Sequence, residues 1–221
     1  MTQITLPELA QLLQQTVGPQ DHWWPKEQWN QIVIQSILIQ NATGSKVEEV
    51  SNQLDHTIGF DLAAWQKLSE NEIQELIKPA GLYRSKAKYI KAAINYFAQM
   101  DFNPQTVQQL TTATLRQQLR SLPGIGNETA DVWLVFIFNR AKFIADSYAR
   151  RLFVTLGASP KLTYEKLQRS MEANLELDNL RARRWHASID EFGKLCFSGN
   201  KPKGELLTDL QLPSKILAEL Q

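Results

Sequence analysis

A chain of 221 residues, 43% apolar and 21% charged, suits one large domain or two closely packed lobes, and it is neither disordered nor supercharged. A formal net charge of +1 argues against a protein that coats nucleic acid by global charge, but not against a local basic patch meeting a few phosphates. There is no apolar run of about 18 residues to cross a membrane, the start Met1-Thr2-Gln3 lacks a basic-then-apolar leader, and the single Cys196 excludes an internal disulfide framework and fits a reducing cytoplasm.

In chain order, apolar residues recur at helical spacing and no alternating strands stand out. Thr5-Leu6-Pro7-Glu8 has the capping-box pattern ahead of Leu9, Leu12 and Leu13. Pro25 suits the first turn of a helix carrying Trp29, Ile32, Val33 and Ile37. After the break at Asn41-Ala42-Thr43-Gly44, a helix runs through Val47, Val50 and Leu54. Ser69 and Glu72 form a second capping box, and Pro79-Ala80-Gly81 is a turn. Ala87, Ile90, Ala93, Ile94 and Phe97 mark a helix over 85–99. Further helices are predicted near 112–120, over 127–138, and at 146–157, 163–174 and 179–196, with a short last one opened by Pro213. The pattern predicts an all-α fold. Three stretches are locally basic: Lys78 to Lys91 (with Arg84, Lys86 and Lys88), Arg140 to Arg151, and Arg181 to Arg184. Any one of them, taken alone, reads as an ordinary solvated helix face rather than a nucleic-acid patch.

Two segments carry chemistry. Leu122-Pro123-Gly124-Ile125-Gly126 sets two glycines between helices, with Thr129-Ala130 as a small-residue entry to the second helix. Glycine tolerates positive φ, and the amides of such a hairpin and the following helix start can bind a phosphate oxygen; the plain reading is a helix–helix turn. Twenty residues past Gly126, Asp146 follows the apolar Ile144-Ala145 and begins a helix. An aspartate there is either a simple N-cap or a working carboxylate. Trp133 reads as core, Glu128 as a surface residue, and His22, His56 and His186 show no metal-ligand spacing.

Together the segments resemble the helix-hairpin-helix DNA glycosylases of the endonuclease III superfamily, whose LPG[IV]G hairpin precedes a V-D-[TS] helix start by about twenty residues. Ile37-Leu38-Ile39-Gln40-Asn41 is similar to that family's I-L-T-Q-N segment. Ile77 to Ala87 is similar to its I-[RK]-P-[SA]-G-[FL]-Y-x-x-K-A segment, and His186 to Cys196 to its H-x-x-[IL]-x-x-x-G-K-x-x-C segment. The likeness runs over most of residues 23 to 212. It implies a two-lobed all-α fold with the active site in the cleft between lobes. A six-helix barrel domain would span 25–137, and 1–24 with 138–221 would form a second helical domain.

The resemblance also implies roles. Asp146 is the catalytic carboxylate. Gln40, Asn41, Lys86, Leu122, Pro123, Gly124, Ile125, Gly126 and Thr129 contact DNA, with Gln40 filling the gap left by a flipped base. A monovalent cation rests on the backbone carbonyls of Leu122 and Ile125. Bifunctional members place a nucleophilic lysine two residues after the second hairpin glycine; Glu128 stands there, which implies a monofunctional enzyme using water. Members with a [4Fe–4S] cluster use C-x6-C-x2-C-x5-C; Cys196 fits the first position, but Lys203, Leu206 and Leu212 occupy the others, so no cluster is expected. Trp23-Trp24-Pro25 resembles the W-W-P of the 3-methyladenine DNA glycosylase III branch, which lines a base pocket. Gly44 stands where that branch stacks an aromatic ring on the base.

The expectation is therefore a base-excision-repair glycosylase that acts on double-stranded DNA containing a damaged base, such as an alkylated purine, as a cytoplasmic monomer with no membrane partner. The alternatives are a glycosylase for another lesion, an inactive helix-hairpin-helix DNA-binding protein, and an all-α protein-interaction domain.

Overall fold

A computed structural model describes residues 1–20 and 29–221. The chain begins with α1 (Leu6–Val17), α2 (Trp29–Leu38), α3 (Gly44–Thr57), α4 (Leu62–Lys67), α5 (Glu70–Ile77), α6 (Tyr83–Ala98) and α7 (Thr112–Arg120). It continues with α8 (Asn127–Phe136), α9 (Ser147–Thr155), α10 (Tyr164–Asn174), α11 (Asn179–Cys196) and α12 (Ser214–Leu220). The backbone separates into two compact bodies, Pro25–Arg140 and Met1–Trp24 with Ala141–Gln221. Among the described residues no helix is long and apolar enough to cross a membrane.

The body of Pro25–Arg140 packs around α6. Its stripe of Ala87, Ile90, Ala93, Ile94 and Phe97 is fully buried, as the helical spacing demands. Phe97 is the centre of an aromatic cluster, with ring centroids 5.1 Å from Trp29, 5.5 Å from Trp133 and 5.9 Å from Phe138. Trp133 is core, and its indole N–H donates to Ser36 Oγ at 2.8 Å, so burial leaves no unmet donor. Ser69 and Glu72 close the expected capping box at α5. The short α4, which the sequence pattern did not reveal, is capped by Asp61.

Several cations of the basic stretches point inward. Lys91 Nζ donates to the Gln66 and Leu68 carbonyls where α4 ends, a favourable place for a cation. Arg140 Nη2 clasps the carbonyls of Gln108 (2.7 Å) and Leu110 (3.0 Å) before α7. These groups secure chain reversals, and charge counting along the sequence could not separate them from a solvated face.

The second body joins the two ends of the chain. Thr5 and Glu8 form the predicted capping box of α1. Its apolar face (Leu6, Leu9, Leu13) enters a core shared with Phe153, Leu167, Met171, Phe192 and Leu220. Thr2–Gln3 pairs in parallel with Leu210–Gln211, and Phe197–Ser198 pairs antiparallel with Lys201–Pro202. Two-residue ladders carry no alternation long enough to read in advance.

Candidate functional site

In the Pro25–Arg140 body, α7 and α8 meet at the glycine turn. The Ile125 amide donates to the Leu122 carbonyl at 3.2 Å, and Gly124 adopts φ 75°. A Cβ on Gly124 would stand 2.2 Å from the Tyr89 ring, so glycine is required by both conformation and space. Ile125 is buried and anchors the turn, whereas Pro123, Gly124 and Gly126 are exposed at its tip. Gly126 caps α8, and its carbonyl accepts from the Ala130 amide at 3.0 Å. Exposed amides at a helix start suit an anion. Thr129 and Ala130 face inward and allow close packing.

An ion pair fixes the two helices of this motif. Arg116 Nε and Nη2 donate to the two oxygens of Asp131 at 2.6 and 2.8 Å, and Nη2 reaches Asn127 Oδ1 at 3.2 Å. Asp131 is fully buried and the Arg116 side chain 19% exposed. Asp131→Ala strands the guanidinium and is expected to destabilise the protein by roughly 3 kcal/mol. Thermal and urea unfolding measure this; a change under about 1 kcal/mol, the scale of a surface pair, contradicts it.

The loop after α2 joins the hairpin. Gln40 Nε2 donates to the Gly124 carbonyl at 3.0 Å and to Thr129 Oγ1 at 3.2 Å. Asn41 follows in the left-handed region at φ 52° and is exposed. A depression lined by Gln40, Asn41, Leu82, Ser85, Tyr89 and Gly124 also reaches Lys86.

Lys86 departs from the expectation of a surface DNA contact. It is 1% exposed, and Nζ donates to the Leu38 carbonyl at 2.7 Å and the Ala80 carbonyl at 2.9 Å. Burial lowers its pKa from the ordinary lysine value. Lys86 is therefore an internal strut that ties α6 to the end of α2 and to the turn at 78–80.

Leu82 lacked a signal in composition or charge. It is 59% exposed, holds φ 49° and precedes α6 on the rim of the depression, while Ile39 is 42% exposed. Gly44 opens α3, is exposed, and has nothing within 4 Å of where a Cβ would lie. Its lack of a side chain is no steric requirement. Trp23, Trp24 and Pro25, expected to line a base pocket, lie outside the described residues.

In the other body Asp146 is both a cap and a buried carboxylate. It ends the buried run Phe143-Ile144-Ala145 and is 5% exposed. Oδ1 accepts from the Ala149 amide at 2.7 Å, the N-cap bond of α9. Oδ2 lies 3.1 Å from Nδ1 of the buried His186 on α11, off the line of an aligned hydrogen bond. One helical turn on, Asp190 pairs with Lys194 at 2.5 Å. Burial raises the Asp190 pKa above the ordinary carboxylate value; Lys194 and His186 oppose that rise, and the Asp146 charge adds to it. Gly193 lets α9 and α11 approach, because a Cβ there would stand 2.2 Å from the Tyr148 ring. The sequence reading missed His186. Its signal was the 186, 190, 194 spacing, which puts an imidazole, a carboxyl and an ammonium on one helix face.

Among the described residues no group of three or more His, Cys, Asp or Glu could hold a metal ion. Around Cys196 the donor set does not fit an iron–sulfur cluster: Leu212 is buried in the core, Leu206 is an exposed leucine, and Lys203 offers its amide to the Cys196 carbonyl at 2.7 Å. At the hairpin, the Leu122 carbonyl keeps a second lone pair beyond its turn bond, so a monovalent cation on the Leu122 and Ile125 carbonyls fits the turn chemically.

The family model for HhH-GPD superfamily base excision DNA repair proteins matches residues 34–176, which contain both the hairpin and Asp146. The chain belongs to this family. Among its HhH-GPD relatives, a protein of Methanocaldococcus jannaschii named as a DNA repair glycosylase is 32% identical, over 78% of this chain and 80% of its own length. Endonuclease III of Sulfolobus acidocaldarius is 33% identical, over 67% of this chain and 68% of its own. In fold, the chain is similar to H. pylori 3-methyladenine DNA glycosylase (MagIII) bound to 1,N6-ethenoadenine. The TM-score is 0.73 at 20% identity, covering 86% of this chain and 98% of that one. A trapped endonuclease III–DNA covalent intermediate gives a TM-score of 0.72 at 17% identity, with coverages of 88% and 87%. An all-α helix-hairpin-helix glycosylase fold is thereby established.

Proposed function

We propose that this HhH-GPD protein is a monofunctional DNA glycosylase that hydrolyses the N-glycosidic bond of a flipped, alkylated purine such as 3-methyladenine. The observation that carries the reading is the Asp146 carboxylate, buried at a helix start with Oδ1 held by the Ala149 amide and Oδ2 beside His186. Glycosidic cleavage builds positive charge on the sugar, and a fixed carboxylate stabilises that charge or activates the attacking water. Glu128 in the first turn of α8 offers no amine for a Schiff base, which leaves water as the nucleophile.

The partner in this reading is double-stranded DNA, bound by a monomer in the cytoplasm. The hairpin tip, Leu122 to Gly126, takes a phosphate on its amides, and a monovalent cation on the Leu122 and Ile125 carbonyls would add positive charge there. Leu82, an exposed leucine beside that tip, is suited to wedge between base steps as the damaged base leaves the stack. Gln40, bonded to the hairpin, and Asn41 would face the gap. An alkylated purine is already cationic, so it needs little acid assistance to depart. Trp23 and Trp24 beside Pro25 would favour such a base by stacking.

The test is a panel of duplexes that each carry one lesion: 3-methyladenine, 1,N6-ethenoadenine, 8-oxoguanine or a thymine mismatch. Products are resolved with and without alkali. Base release from the alkylated duplex, with strand breaks only after alkali, is expected. Breaks without alkali would replace the monofunctional reading. Release from a different lesion alone would reassign the substrate, and no release from any duplex would leave a DNA-binding protein. The purified protein is expected to be colourless, since one thiol cannot hold an iron–sulfur cluster.

A further inference from the structure

We propose that His186 is a positioning residue for Asp146, its buried imidazole favouring the charged carboxylate at this site. The proposal rests on Asp146 being the working carboxylate. Three observations carry it. His186 Nδ1 stands 3.1 Å from Asp146 Oδ2, and both side chains are more than nine-tenths buried. Asp190 lies one turn along α11, where the charges of both His186 and Asp146 act on it. The glycine crossing at Gly193 and Tyr148 brings α9 against α11, so the three groups share one poorly solvated region.

Arg183 lies half-buried on α11 one turn before His186, and other nearby charges have their own engagements. On α11 itself Lys194 bridges Asp190 and Glu191. On α9, Arg150 Nε meets the Asp146 backbone carbonyl at 3.4 Å, and the Arg151 guanidinium lies 5.1 Å from the centre of the Tyr148 ring. On α1, Glu8 is held in its capping box with Thr5. The strand Phe197–Ser198 brings no charged side chain.

The signs follow from electrostatics. Where His186 carries its proton, its charge 3.1 Å from Oδ2 favours ionised Asp146. An ionised Asp190 disfavours it. Burial raises the Asp190 pKa, so Asp190 takes up its proton early as pH falls and its repulsion of the neighbouring carboxylate is relieved. Two carboxyls in one region thus take different roles through their surroundings.

The test is single-turnover base release across pH for the native protein, His186→Gln and Asp190→Asn. Asp190→Asn should leave the acid limb in place, because Asp190 has already taken up its proton there. His186→Gln should move it to higher pH by about one unit, the scale of an adjacent opposite charge. A purely structural role lowers the plateau and leaves the limb in place. A second readout needs no activity: the Asp146 carboxyl titration followed by carbon NMR in protein free of DNA, with its signal assigned by loss in Asp146→Asn. An upward shift of that midpoint in His186→Gln, with none in Asp190→Asn, is expected. An unmoved or lowered midpoint in His186→Gln overturns the proposal. The expected NMR shift in a protein that releases no base would retain the coupling and retire the glycosylase reading instead.

Discussion

Asp146→Asn is expected to abolish base release, by at least ~10²-fold in single turnover, while DNA affinity stays close to that of the native protein. The choice of asparagine matters because Asp146 has two jobs in the fold. Its Oδ1 caps α9 through the Ala149 amide, and asparagine caps a helix about as well as aspartate. What asparagine lacks is the charge beside His186. Asp146→Ala removes cap and charge together and should also lower stability by about 1 kcal/mol. Activity lost in both variants, with stability lost only in the alanine, is the expected pattern; DNA binding by fluorescence anisotropy provides the affinity. An Asp146→Asn protein that released bases at the native rate would remove Asp146 from the mechanism.

Gly124→Ala should be the most damaging single methyl in the Pro25–Arg140 body. The backbone there sits at φ 75°, where a Cβ costs about 1–2 kcal/mol. The added carbon would also stand 2.2 Å from the Tyr89 ring, and forcing the ring aside costs roughly 1–3 kcal/mol more. Thermal unfolding should drop by several degrees. DNA affinity should fall too, because the displaced turn carries the exposed amides and the carbonyl that accepts from Gln40. Combining the change with Tyr89→Ala relieves the clash but not the left-handed strain, so part of the stability should return. Native melting and affinity in Gly124→Ala would mean that the turn is freely deformable and does not grip a phosphate as a preformed unit.

The two arguments differ in how far they could be made from residues in order. The hairpin was legible because its determinants are local: a Leu-Pro entry, two glycines and a small-residue helix start within nine positions, 122–130. Even so, the reason Gly124 must be glycine involves Tyr89, from a helix 35 positions earlier. Asp146 was legible as a helix start, and both of its candidate roles, cap and carboxylate, sit on the same side chain. Its partner was not legible. His186 is 40 positions away and matched no ligand spacing, so it read as a residue without a role.

By itself, the sequence determined most of the helices and their starts, though not α4, since capping boxes such as Thr5–Glu8 and Ser69–Glu72 and apolar stripes such as Ala87 to Phe97 act within a few residues of the chain. It also determined the family, through motifs whose order and spacing survive without coordinates. Only the tertiary structure decided where the charges go. Lys86 and Arg140 looked like surface cations but fasten carbonyls inside the body or across a loop, and His186 looked idle but faces Asp146. The physical reason is common to all three. A long or polar side chain finds its partner through space, and a buried carbonyl or carboxylate that needs one can come from any distance along the chain.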